Sequence, residues 1–146
     1  MVARHGDPLH LAGCMLYWAE GSKRRNAIRF TNSDARMLAF FRKFLVVALE
    51  IQPEDIHLSI NVYTNNGMTI DEIETYWLHL LDLPKSSVRG HMLSHIPTSS
   101  SGRAKNKLPY GVARLSVHKT EKVQQVYGAI QEYAVFDAPA WLDCSY

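Results

Sequence analysis

Glu20 is the side chain on which a catalytic reading turns. It is the only acid between Asp7 and Asp34, and Lys23, Arg24 and Arg25 follow after Gly21 and Ser22. A carboxylate there is a candidate ligand for a divalent cation, because hard cations take oxygen ligands. The ordinary alternative is a solvated glutamate at a helix end. His91 and His95 are four apart, a zinc spacing on a helix, but the segment reads as a strand and no cysteine pair completes a site. Cys14 has no base beside it and reads as packing. Ser99-Ser100-Ser101-Gly102 lacks the Lys-Ser/Thr ending of a phosphate loop.

The cations are segregated. Lys23, Arg24, Arg25 and Arg29 lie in an acid-free stretch from Gly21 to Ser33, and residues 83–120 carry Lys85, Arg89, Arg103, Lys105, Lys107, Arg114 and Lys119 without one acid. The seven acids from Phe44 to Pro84 have no Lys or Arg among them. This partition hides behind a net charge of only +2. It predicts one positive face, and the usual partner of such a face is a polyanion. Chance clustering on a solvated surface is the plain alternative.

The elements that must position these residues follow from spacing. Asp7 and Pro8 open a helix over Pro8–Glu20, and Gly21 ends it. Residues 26–32 alternate as a half-buried strand, and Asn32-Ser33-Asp34 caps a helix to about Leu49. From Asp55 to Tyr63, Ile56, Leu58, Ile60 and Val62 alternate with His57, Ser59, Asn61 and Tyr63. Thr69 and Glu72 form a capping box for a helix over 70–81, with Asp71, Glu72 and Glu74 on its wet side. Residues 87–96 and 108–118 read as strands around a Ser/Gly/Lys-rich loop, and Thr120 caps a last helix to about Ala134. Trp141, in the tail, is expected to dock. The outward strand positions are Arg29, Thr31, His57, Ser59, Asn61, Tyr63, Arg114, Ser116 and His118. That is an acid-free set suited to phosphates and base edges.

With 146 residues and 47% apolar content, a single α+β domain with its own core is expected over 1–146. Two cysteines rule out a disulfide framework or a four-cysteine zinc module. No stretch suits a transmembrane helix, and the first ten residues lack the apolar core of a secretory signal. The expected location is therefore intracellular (cytoplasm, nucleoid or organelle), not secreted.

The segment Gly13-Cys14-Met15-Leu16-Tyr17-Trp18-Ala19-Glu20-Gly21 resembles the LAGLIDADG motif of homing endonucleases, with Ala19-Glu20-Gly21 matching its closing Ala-Asp-Gly. Leu11-Ala12-Gly13 stands two residues out of that register, and Cys14, Leu16, Tyr17 and Trp18 replace the motif's small residues. The resemblance covers about residues 9–134. It implies an αββαββα core with a four-stranded antiparallel sheet, here with an extra helix inserted between strands one and two. It implies a homodimer through the motif helix, with Leu9, Ala12, Gly13, Leu16 and Tyr17 at the interface. It implies Mg²⁺ or another divalent cation at Glu20 and Gly21. His118 or Lys119 would stabilise charge at the scissile phosphate, and Asn61 and Thr64 would place a water. Double-stranded DNA would lie against Lys23, Arg24, Arg25, Arg29, Thr31, His57, Ser59, Asn61, Tyr63, Arg89, His91, Arg103, Lys105, Lys107, Arg114 and Ser116. The expected function is a site-specific, Mg²⁺-dependent DNA endonuclease. The alternative is a DNA-binding regulator that keeps the fold without cutting; a third reading is an unrelated RNA-binding or scaffolding protein.

Overall fold

The computed structural model describes residues 3–63, 68–94 and 110–138, the side chains of Tyr63 and 91–94 excepted. Thr64, Arg103, Lys105, Lys107, His95 and Trp141 lie outside the described residues. The chain runs α1 (Pro8–Glu20), β1 (Ile28–Asn32), α2 (Ala35–Lys43), β2 (His57–Tyr63), α3 (Ile70–Leu81), β3 (Val88–Ser94), β4 (Val112–Val117) and α4 (Thr120–Ala134). It is a mixed α+β fold with four α-helices and one four-stranded sheet among the described residues. The extra helix between the first two strands is present as α2.

Helix ends follow local chemistry. Asp7 accepts from the His10 N–H with Pro8 in the first turn, and Thr69 and Glu72 close the capping box of α3. Thr120 does not cap α4: the cap position is Lys119, which makes no side-chain cap bond. The helix expected to run to Leu49 leaves α geometry at Phe44, and a π-helical turn carries Phe44–Ala48, with Leu49 N–H reaching the Phe44 carbonyl at 3.1 Å. Glu74 is not on a wet face. It is buried and paired with Lys85 at 2.8 Å, which supplies the countercharge that a buried carboxylate needs.

Strand order is β1-β4-β2-β3. β4 is antiparallel to both β1 and β2, but β2 and β3 are parallel, so the sheet is mixed and not antiparallel throughout. The reason is the connection: α3 returns the chain from the end of β2 to its beginning, so β3 must run the same way. α2 does the same between β1 and β2, and β4 fills the gap between those strands. Ile28, Phe30, Leu58, Ile60, Val62, Ala113, Leu115 and Val117 bury one face of the sheet among the helices' Tyr17, Phe41, Trp77, Val126 and Ile130. On the other face Thr31, Asn61, Arg89 and Arg114 are exposed, and no helix among the described residues packs over them, in keeping with the alternating strand pattern. Gly111 lets β4 enter tightly: its φ is +71°, and a Cβ there would fall 2.3 Å from the Asn61 carbonyl oxygen.

Candidate nucleic-acid interface

Register sets the open face. Thr31, Arg114 and Ser59 lie in one row across β1, β4 and β2, and Arg29, Ser116 and His57 in the next row but one. Thr31, Asn61, Arg89 and Arg114 are exposed, and Arg29, His57 and Ser59 half-buried. Ser116 is buried, because its central strand puts Arg29 and His57 on either side of it. Tyr63 and His91 are placed by backbone only, opposite Ser94 and Ile60.

A cleft of about 290 Å³ opens on this face, lined by Thr31, Ser59, Asn61, Arg89, Gly90 and Arg114, with Ile60 and Val112. Arg114 Nε donates to Thr31 Oγ1 at 3.1 Å, and Ser59 Oγ donates to the Arg89 carbonyl at 3.1 Å. The Arg89 guanidinium turns back onto the Ser86 and Val88 carbonyls. Gly90 entered no sequence argument. Its signal is a φ of +77° at the register shift between β2 and β3, which alternation does not reveal.

The electrostatics are those of crowded cations. Burial first, then Arg24 and Arg114, lowers the pKa of Arg29, whose Nε is buried without a hydrogen-bond partner among the described residues. Burial, Arg89 and His118 lower that of His57, with Asp55 opposing. The His57 and His118 rings stand 5.7 Å apart. One acid does reach the rim. Asp55, just ahead of β2, pairs with Lys119 at 3.7 Å, so the Lys119 ammonium already has a carboxylate partner.

The end of α1 adjoins this face. Gly21 bridges to Phe30, and Ser22 N–H donates to the Arg29 carbonyl at 2.9 Å. Buried tyrosines fix the basic turn that follows: Tyr17 OH accepts from Arg29 N–H at 3.1 Å, and Tyr127 OH donates to the Arg24 carbonyl. Arg25 is half-buried and Arg24 exposed in that turn. Glu20 is exposed. Lys23 Nζ donates to the Trp18 carbonyl at 2.8 Å and to the Gly21 carbonyl at 3.1 Å. A cation is favoured there, where unpaired carbonyls gather at a helix C-terminus. Desolvation lowers the Lys23 pKa.

This geometry bears on the implied metal site. One subunit offers an exposed carboxylate and a carbonyl that already accepts from an ammonium. A divalent cation at Gly21 would face the Lys23 charge at hydrogen-bond range. Among the described residues, no group of three or more His, Cys, Asp or Glu is placed to hold a metal. The donor set of one subunit therefore does not fit a divalent cation while Lys23 stays in place.

Two further expectations change. Asn61 pairs with Val112 at one end of β4, whereas His118 follows the other end. Six residues of strand at ~3.3 Å each put them about 20 Å apart. Asn61 cannot join His118, Lys119 and Glu20 in one site within a subunit. Gly13 and Tyr17 do not face a partner: both are buried in the chain's own core, Gly13 against Phe44 and Tyr17 stacked on Phe41. Leu9 and Leu16 are half-buried against that core, and Ala12 is exposed. The outward face of α1 carries Leu11, Ala12, Trp18 and Ala19, with Met15 half-buried between them and Trp18 stacked on Phe136 at 5.4 Å.

Compared with known proteins, the chain matches no family model, no curated protein and no solved structure. No helix among the described residues is long and apolar enough to cross a membrane.

Proposed function

We propose that the protein binds double-stranded DNA with the open face of its sheet, as a homodimer joined along the outward face of α1. The observation that carries this reading is the cleft-bearing face on which Arg29, Arg89 and Arg114 stand with polar neutral side chains, and at whose edge Asp55 is paired to Lys119. Cations in such number, pressed together by the fold, gain most from a ligand that brings many negative charges at once. Leu11, Ala12, Met15 and Trp18 supply the apolar stripe that a second copy would cover, with Leu11 and Trp18 each more than a third exposed.

Site-specific cleavage, as in a homing endonuclease of the LAGLIDADG kind, is the enzymatic form of this function and rests on Glu20. Binding without cleavage is favoured by Lys23, which holds the carbonyl that the resemblance gives to Mg²⁺. Both forms make DNA the partner, so one experiment orders them. Fluorescence anisotropy with a labelled duplex, titrated with salt, should give a log–log slope near about −9 for roughly ten phosphates neutralised by two subunits. A slope shallower than about −3 would refute the nucleic-acid face. Incubating the same duplexes with a Mg²⁺ series then scores cutting directly. Sedimentation as a monomer, with and without DNA, would refute the dimer.

A further inference from the structure

We infer that Arg114 reads a guanine in the major groove and that Thr31 positions it to do so; this rests on the DNA-binding reading above. Arg114 sits in the middle of β4, a strand flanked on both sides, and lines the cleft. Its Nε is committed to Thr31 Oγ1 at 3.1 Å. That bond holds Nε and leaves the two terminal nitrogens, which have no partner among the described residues, as a fork for a ligand. Two parallel N–H groups at that spacing match guanine O6 and N7, the commonest specific contact made to DNA.

The neighbours favour Arg114 over other candidates on the face. Arg89 turns Nη1 back onto the Ser86 and Val88 carbonyls, before and at the start of β3. Arg29 lies two register positions away, half-buried and crowded by Arg24. Gly90 also lines the cleft, and nothing stands within 4 Å of where its Cβ would be. A base edge can therefore approach Arg114 without displacing a side chain at that position. A phosphate would satisfy the same fork, but phosphates flank a groove, whereas the inner strands of a sheet laid in it lie nearer the base edges than its outer strands do.

The test is target selection from a randomised duplex library, followed by anisotropy on paired duplexes that differ at one G·C step. Wild type should select a guanine once per half-site and prefer it by about 5- to 150-fold, the range for one bidentate pair. Arg114→Ala should abolish that preference. Thr31→Val removes the anchoring hydroxyl and no charge. It should weaken the preference at least several-fold while leaving the salt slope unchanged, and Thr31→Ser should restore it. Both residues are exposed, and a melting curve for each variant confirms folding. Uniformly weaker binding of Arg114→Ala to every sequence, with the salt slope reduced by about 1.8 because both subunits lose the contact, would make Arg114 a phosphate contact and overturn the inference. So would a selected guanine indifferent to both residues, or tight binding with no sequence preference; either leaves DNA binding standing. No duplex binding by wild type would overturn both.

Discussion

Replacing Gly13 by alanine separates two roles for the motif helix. As a helix-face glycine at a subunit contact, its substitution would loosen the dimer. In the structure, its missing side chain makes room for Phe44 of the same chain. An ideal Cβ at Gly13 would lie 2.0 Å from Phe44 Cδ1, 2.2 Å from Cγ and 2.5 Å from Cε1. Ordinary contact begins near 3.4 Å, so the ring or the helix must move by at least 3.4 − 2.0 = 1.4 Å. The ring has little freedom: it is fully buried, 5.5 Å from Phe41, which itself stacks on Phe30 at 4.3 Å. Overpacking of this kind costs about 1–3 kcal/mol, and more where nothing can yield. The gain in helix propensity from Gly to Ala returns about 1 kcal/mol. With so deep an overlap, the net destabilisation should be about 2 kcal/mol or more, a fall of about 5–10 °C in Tm. Thermal melts followed by circular dichroism at several protein concentrations measure it. Phe44→Leu should partly relieve Gly13→Ala in a double-mutant cycle, with a coupling of about 1–2 kcal/mol. An unchanged or raised Tm, or a loss that grows on dilution with no coupling to Phe44, would refute the packing argument.

Glu20→Gln should bind duplex DNA at least as tightly as wild type in the presence of EDTA, because it removes a negative charge from the approach of a polyanion; any Mg²⁺-dependent cutting by wild type should vanish. Anisotropy and a cleavage gel, with Tm taken alongside, check both, and weaker binding by a folded variant would count against Glu20 lying near DNA. The Cys14 thiol is buried and pushed up to about 12, chiefly by desolvation. In a Cys144→Ser background it should react with a thiol reagent at pH 8 only after denaturation; prompt labelling of the folded chain would contradict its burial. His10 is buried, with Nδ1 at 2.6 Å from Tyr133 OH, and desolvation and then Arg4 lower its pKa below 6.5. Its contribution to stability is therefore full above about pH 6.5 and is lost as pH falls through the lowered folded value. Urea midpoints from pH 8 to pH 5 should drop in wild type and drop less in His10→Gln; parallel curves would remove His10 as a source of the acid sensitivity.

Local chemistry made much of this chain legible from its residues. The bounds of α1, α3 and α4 could be placed from Asp7-Pro8, from Thr69 with Glu72, and from the apolar spacing of Val123, Val126, Tyr127 and Ile130. Alternation in 57–63 and 112–117 separated a core face from a polar face, because side chains in a strand change sides at every residue whatever its neighbours are. Charge segregation marked the face that carries Arg29 and Arg114. What the sequence did not decide was who stands beside whom. The parallel pairing of β2 with β3 and the insertion of β4 between β1 and β2 depend on helices that carry the chain back across the sheet. Those pairings set Asn61 and His118 at opposite ends of β4, and they join Thr31 to Arg114 across 83 residues of chain. The α1 helix shows the same limit. Its spacing gives a stripe but not an owner. Phe44, delivered by a π-helical turn, claims Gly13 for the core, and Lys23 folds back onto the helix end that a metal was expected to share. Contacts between segments far apart in sequence arise only when the layers close, so neither their partners nor their competition for one carbonyl is written in any local pattern.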